Sequence, residues 1–257
     1  MLVNSAVFGN LREVLAWPTS QSWPEDRPLA HWQRGSAAAF RAPPVGTAYG
    51  ALLNHRAALA ALGDAVHAAP YKAPPKAPVL YIKPRNTYAG PGDAIVVPAG
   101  VDELEIGATL GIVIGREACR VGEAEALACV AGYTVCNDVS VPHASFYRPS
   151  LRFKCRDGFL PVGPWVVAAR HVAEPDALAV RVHLDGLLVQ QTSTTGMQRP
   201  VARLIAEISA FMTLAVGDLL MLGVAAGAPR ARAGQHVRIE IDGIGALENL
   251  LVAQCEA

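Results

Sequence analysis

The chain has 257 residues, 52% of them apolar and 17% charged, with 22 basic and 22 acidic side chains in balance. That length suits one large domain, or a domain with a small appendage, around a sizeable core. Neutrality without a Lys/Arg run or an acidic tail argues against a nucleic-acid partner, and Gly, Asp or Arg interrupts every apolar stretch before it could cross a membrane.

Residues 1–45 hold Trp17, Trp23 and Trp32 and several prolines, and read as an N-terminal arm ahead of a domain over 46–257. Residues 47–53 form a short strand. The alanine-rich stretch 56–69 favours a helix, and the prolines from Pro70 to Pro78 keep the next segment extended. Strands follow at 79–82 and 94–98. Residues 108–114 are apolar on both faces, so this strand is central and buried. A helix is expected over 123–131 with Gly132 as its stop. A buried strand over 133–137 then delivers Asp138. Asp185-Gly186 is a hairpin turn between strands at 180–184 and 187–191. Val201, Leu204, Ile205, Ile208 and Phe211 share one helical face. A strand at 237–241, a turn at Asp242-Gly243 and a strand at 245–252 close the chain.

The cysteines Cys119, Cys129, Cys136, Cys155 and Cys255 are scattered, odd in number and lack Cys-x-x-Cys spacing. Reduced, mostly buried thiols and a cytoplasmic location are expected. The N-terminus lacks a basic segment followed by an apolar run, so no signal peptide is expected. Cys155 reads as a small packed hydrophobe; the alternative is a reactive thiol, because Lys154 and Arg156 flank it and could lower its pKa. His67, His143, His171, His183 and His236 have no metal-ligand spacing and are read as structural or exposed.

Several motifs occur in one order: Leu53-Asn54-His55-Arg56, Lys83-Pro84-Arg85-Asn86-Thr87, Gly132-Tyr133 followed by Asn137-Asp138, Phe146-Tyr147-Arg148-Pro149, Lys154-Cys155-Arg156-Asp157-Gly158 and Leu214-Ala215-Val216-Gly217-Asp218. Together they resemble the fumarylacetoacetate hydrolase family. Within it, Tyr71-Lys72-Ala73-Pro74-Pro75-Lys76 and the strand after Gly107 look most like the N-terminal-type halves of the decarboxylase/isomerases of 4-hydroxyphenylacetate degradation. The resemblance implies a mixed α/β, mainly β fold, a β-sandwich roll with short helices. It also implies decarboxylation and isomerisation of oxo-tricarboxylates in aromatic catabolism, and a homodimer or a heterodimer with a sister subunit.

The same resemblance exposes departures. Metal-bearing members open the central strand with Glu-x-Glu and add an Asp, a hard oxygen set for Mg²⁺ or Mn²⁺. The aligned positions here are Gly107 and Thr109, leaving Asp138 as the residual ligand, so metal binding is expected to be weak or absent. Glu103-Leu104-Glu105 lies four residues upstream, roughly 13 Å along an extended strand, and is read as a solvated turn. The lid His and Glu of hydrolase and decarboxylase members align with Ala58 and Ala61. His55 takes an aromatic position and reads as a packed ring. Gly223-Val224-Ala225 replaces the usual Gly-Thr-Pro. The resemblance assigns Lys154 and Asp157 to catalysis and Lys83, Tyr147, Arg148, Arg156, Gln191 and Thr194 to substrate contact, a cationic set suited to carboxylates. Two other roles stay open: a catalytically inactive partner of a metal-bearing sister chain, or an oxo-acid binding module.

Overall fold

The computed structural model describes residues 46–145 and 150–255. The expected arm over 1–45, Tyr147 and Arg148 lie outside the described residues. The strands, in chain order, are β1 (Ala48–Leu52), β2 (Val79–Lys83), β3 (Tyr88–Ala89), β4 (Ile95–Val97), β5 (Leu104–Glu105), β6 (Ala108–Ile114) and β7 (Val130–Asn137). They continue as β8 (Leu160–Ala168), β9 (Ala179–Leu184), β10 (Leu187–Ser193), β11 (Leu219–Met221), β12 (Arg230–Ala231), β13 (His236–Ile241) and β14 (Gly245–Ala253). Short helices are α1 (Arg56–Ala60), α2 (Glu123–Ala126), α3 (Leu151–Lys154) and α4 (Val201–Ser209). The mainly β expectation holds.

A seven-stranded sheet runs β2-β1-β11-β6-β7-β8-β3, and a five-stranded sheet runs β10-β9-β13-β14-β4. All seven residues of β6 are buried. Its Leu110, Ile112 and Ile114 meet Val182, Ile239 and Leu247 of the second sheet in the main core. Its opposite face carries Val113 into a second cluster with Cys136, Leu160, Leu219 and Met221. Apolar cover on both faces explains why β6 reads as a continuous apolar run rather than an alternating one. The pair β5–β12 forms a small third ladder, whose Leu104 and Ala231 join the main core.

Three sequence expectations need correction. The α-helix expected over 56–69 ends at Ala60, with a 3₁₀ turn following over Gly63–His67. α1 buries no residue, so alanine propensity alone has no packed face to extend it. Gly132 is not a helix stop: α2 ends at Ala126, and Gly132 sits inside β7. A Cβ on Gly132 would lie 2.2 Å from the Val167 carbonyl oxygen, so the residue permits close strand approach. Phe211 is 64% exposed because α4 ends at Ser209, although Val201, Leu204, Ile205 and Ile208 are buried as expected. The hairpin at Asp185-Gly186 forms with both residues left-handed, φ 50° and 83°, as a type I′ turn requires. β8 was not expected, since Pro161, Gly163 and Pro164 mask a nine-residue strand that pairs with β7 and β3.

Candidate active site

The centre of the site is Asp138, delivered by the end of β7 and 2% exposed. Three side chains converge on it. Lys154, the last residue of α3, places Nζ 2.7 Å from Oδ2, and Lys83, the last residue of β2, places Nζ 2.9 Å from Oδ1. The Tyr81 hydroxyl, two residues earlier on β2, donates to Oδ2. The Lys154 ammonium also lies 4.9 Å from the centroid of the Tyr81 ring, within cation–π range.

The two lysines differ in what they can reach. Lys83 is fully buried, and its Nζ donates to the carbonyls of Val139, Lys154 and Phe159 at 2.9, 2.7 and 2.9 Å. Those carbonyls take its three protons, so Asp138 Oδ1 feels the Lys83 charge without receiving a directed hydrogen bond. Lys154 keeps 11% of its side chain exposed. Burial alone would raise the Asp138 carboxyl, but Lys154 and Lys83, with the hydrogen bonds from Lys154 and Tyr81, hold it well below the usual carboxylate range. Burial lowers the Lys83 ammonium to about 8, with Asp138 opposing the shift. Burial, then the Asp138 charge, pushes the Tyr81 phenol well above its ordinary value.

A cavity of about 220 Å³ opens onto this centre, reaching Tyr81, Asp138 and Lys154 and lined further by Glu105, Ser140 and His143. Ala58, Ala61, Val224 and Ala225 also line it. The positions that carry the lid pair and the Thr elsewhere in the family therefore face the cavity here with only methyl and isopropyl groups. Gln190 of β10 donates to the carbonyls of Ala226 and Gly227 at 3.1 and 3.0 Å and so ties down one wall.

The residues do not fit a divalent cation. A Cβ on Gly107 would lie 2.4 Å from the Asp138 carbonyl oxygen and 3.0 Å from its Cβ, so the backbone has closed over the space a side chain would use. The Thr109 hydroxyl accepts from the Gly223 N–H at 3.0 Å. The remaining carboxylate, Asp138, is paired with two ammonium groups. Among the described residues no three His, Cys, Asp or Glu side chains gather closely enough to share a metal ion.

Of the residues expected in the site, Lys154 and Asp138 line the cavity. Lys83 lies beneath them and positions Asp138 without a surface for substrate. Asp157 is exposed and accepts from Asn86 Nδ2 at 2.7 Å, outside the cavity lining. Arg156 donates back to the Arg152 carbonyl, also outside the lining. Gln191 is exposed on β10, and buried Thr194 accepts from the Leu178 N–H at 2.8 Å; neither reaches the cavity lining. Cys155 is partly buried, and burial raises its thiol despite Lys83 and Lys154, against the alternative of an activated nucleophile. His55 is packed as expected, its Nδ1 accepting from the Ala57 N–H and capping α1. The solvated turn expected at Glu103-Leu104-Glu105 is instead the start of β5: Leu104 is fully buried, and Glu103 pairs with Arg232 at 2.8 Å. Glu105 instead enters the cavity lining, accepting from Ser140 Oγ at 3.3 Å. Sequence reasoning missed Tyr81, Glu105, Ser140 and His143 as lining residues. The signal for Tyr81 was its spacing of two from Lys83 on a strand, which places both on one face.

The fold and site define a β-roll domain with a small cavity in which one ammonium, Lys154, pairs with the Asp138 carboxylate, and Glu105 adds a second carboxylate to the lining. The chain belongs to the fumarylacetoacetate hydrolase family: the family model described as Fumarylacetoacetate (FAA) hydrolase C-terminal matches residues 47–252. It is 40% identical over 211 residues to the 4-hydroxyphenylacetate degradation bifunctional isomerase/decarboxylase of Escherichia coli, covering 82% of this chain and 48% of that protein. The chain thus spans about half the length of this relative. Among solved structures it resembles 5-carboxymethyl-2-hydroxymuconate delta-isomerase from Mycobacterium smegmatis, at TM-score 0.68 and 29% identity over 82% of this chain and 80% of that one. It also resembles maleylpyruvate hydrolase from Sphingobium sp. SYK-6, solved in complex with manganese (II) ion and pyruvate, at TM-score 0.67 and 26% identity over 81% of this chain and 71% of that one.

Proposed function

We propose that this chain is an isomerase/decarboxylase-type subunit of 4-hydroxyphenylacetate catabolism, acting in the cytoplasm on small oxo-carboxylates such as 5-carboxymethyl-2-hydroxymuconate and 5-oxopent-3-ene-1,2,5-tricarboxylate. One observation carries the reading: a lysine of the cavity lining, Lys154, is locked onto a buried carboxylate, Asp138, in a cavity sized for a small acid. The likeness to the bifunctional Escherichia coli enzyme and to the Mycobacterium smegmatis isomerase supports the substrate class.

Both reactions need the same electrostatic help. In the isomerisation a proton leaves one carbon and another carbon gains one, and between the two the electron pair rests on the oxo oxygen as an enolate. In the decarboxylation CO₂ leaves, its bonding pair moves to that oxygen, and a proton later returns to carbon. A fixed cation beside the oxygen stabilises the charge as it develops. Lys154 supplies that cation, Asp138 holds it in place, and Lys83 and Tyr81 position Asp138. Mg²⁺ and Mn²⁺ have no stoichiometric site in this scheme, because Asp138 is already occupied by ammonium groups. Arg148 is proposed for a second substrate carboxylate on the strength of its motif. The working assembly is proposed as a dimer, with itself or with a sister subunit.

The test is to assay the purified chain for both reactions in the presence of a chelator. Turnover by the chain alone supports the reading. Turnover only on adding a metal-bearing sister chain assigns this one the inactive partner's role, and oxo-acid binding without turnover assigns it the binding module's.

A further inference from the structure

The proposed reaction requires a base, and the lid positions that carry a His and a Glu elsewhere in the family are Ala58 and Ala61 here. Both line the cavity, and neither can accept a proton. Two other side chains of the lining could, Glu105 and His143. Glu105 is the more firmly placed. Its N–H donates to the Ser140 carbonyl at 2.8 Å, its carbonyl accepts from the Ser140 N–H at 3.2 Å, and its Oε2 accepts from Ser140 Oγ at 3.3 Å. The side chain is partly shielded, at 27% exposure, and among the described residues the cation paired with its other oxygen is Arg230 at 3.9 Å. His143, by contrast, stacks on Phe153 at 5.0 Å between ring centroids, with Nδ1 2.9 Å from the Val141 carbonyl.

Register gives the placement. Gly107 faces Asp138, its carbonyl accepting from the Asp138 N–H at 2.8 Å, and Glu105 precedes it by two residues. Ile106 and Gly107 lie between β5 and β6, and the bridge from Glu105 to Ser140, two residues after Asp138, brings Glu105 into the same cavity lining as Asp138 and Lys154.

We propose that Glu105 is the general base of this site, a catalytic residue reaching the cavity from β5 rather than from the lid. This rests on the oxo-acid reading above. The carboxylate takes a proton from the carbon next to the oxo group and becomes the acid. Charge builds on the oxo oxygen beside Lys154 as a dienolate forms, and Glu105 returns the proton at the γ carbon, so that the carbonyl re-forms and the double bond shifts from β,γ to α,β. No oxidant or co-reactant is consumed.

The probe is pyruvate, whose methyl protons exchange with deuterated solvent only if a base removes them, followed by NMR in the presence of a chelator. Oxalate binding is measured alongside by calorimetry. Glu105→Gln is expected to slow exchange at least about 100-fold, the lower end for general acid–base catalysis, while oxalate affinity stays within threefold of wild type. His143→Ala is expected to keep exchange within about fivefold. Exchange unchanged in Glu105→Gln, or lost in His143→Ala alone, overturns the assignment while leaving the oxo-acid reading intact. Loss of both exchange and oxalate binding in Glu105→Gln also overturns it, because the residue would then act in binding. A wild-type chain that binds oxalate without exchanging pyruvate protons overturns the base. One that neither binds nor exchanges overturns the oxo-acid reading and the base with it.

Discussion

Replacing Lys154 with methionine keeps an unbranched apolar stem, one atom shorter, and removes the charge. Asp138 then keeps the Lys83 ammonium at 2.9 Å and the Tyr81 hydroxyl, so the carboxylate is not orphaned. Breaking a buried ion pair outright costs about 3–5 kcal/mol. With two of three partners retained, a loss of about 1–3 kcal/mol in folding stability is expected. The effect on ligand is separate. Lys83, Lys154 and Asp138 carry a formal charge of +1 together and zero in the variant, and the retained lysine has all three protons on carbonyls. A charge-assisted hydrogen bond contributes about 1.5–3 kcal/mol, which is a roughly 10- to 150-fold change in Kd. Calorimetric titration with oxalate, alongside thermal melting, reads both quantities. A folded Lys154→Met variant that binds oxalate within twofold of wild type would refute the view of Lys154 as the site's cation.

Gly107→Ala should destabilise the fold by about 1–3 kcal/mol through overpacking, because the new Cβ meets Asp138 backbone at 2.4 Å; an unchanged thermal midpoint would show that the strand has room for a ligand-bearing side chain. Thr109→Val should cost about 1–3 kcal/mol by leaving the buried Gly223 N–H without its acceptor, read by denaturant titration. Oxalate affinity should fall as pH rises through about 8, where Lys83 loses its proton and the cluster's formal charge drops from +1 to zero. The same group makes folding stability rise between about 8 and its ordinary value of 10.5, since in that window the unfolded chain binds the extra proton; affinity flat from pH 7 to 9 would contradict the assignment.

Much of the frame was legible because it rests on local chemistry. The apolar run of β6, the Asp185-Gly186 turn and the spaced aliphatics of α4 each name their own environment. β8 was hidden because its prolines and glycine carry turn signals, while the pairing that makes it a strand comes from β7 and β3. Gly132 was misread for a related reason: a helix stop and a close strand contact use the same residue, and only the packing against Val167 separates them. At the site, Asp138 and Lys154 could be named from motifs. The lining role of Glu105 could not, since it depends on a ladder joining it to Ser140, 35 residues away in sequence. Asp157 and Arg156 show the converse, for a matched motif names a segment without saying which of its side chains turns inward.

The central claim is that the cation of this site is Lys154 and not a bound metal. Calorimetry of oxalate binding to the wild-type chain, first in excess chelator and then with added Mn²⁺, tests it most directly. The expected result is the same affinity in both conditions, with no stoichiometric heat from Mn²⁺ alone. Binding that appears only when Mn²⁺ is present, and is abolished by Asp138→Asn, would contradict it.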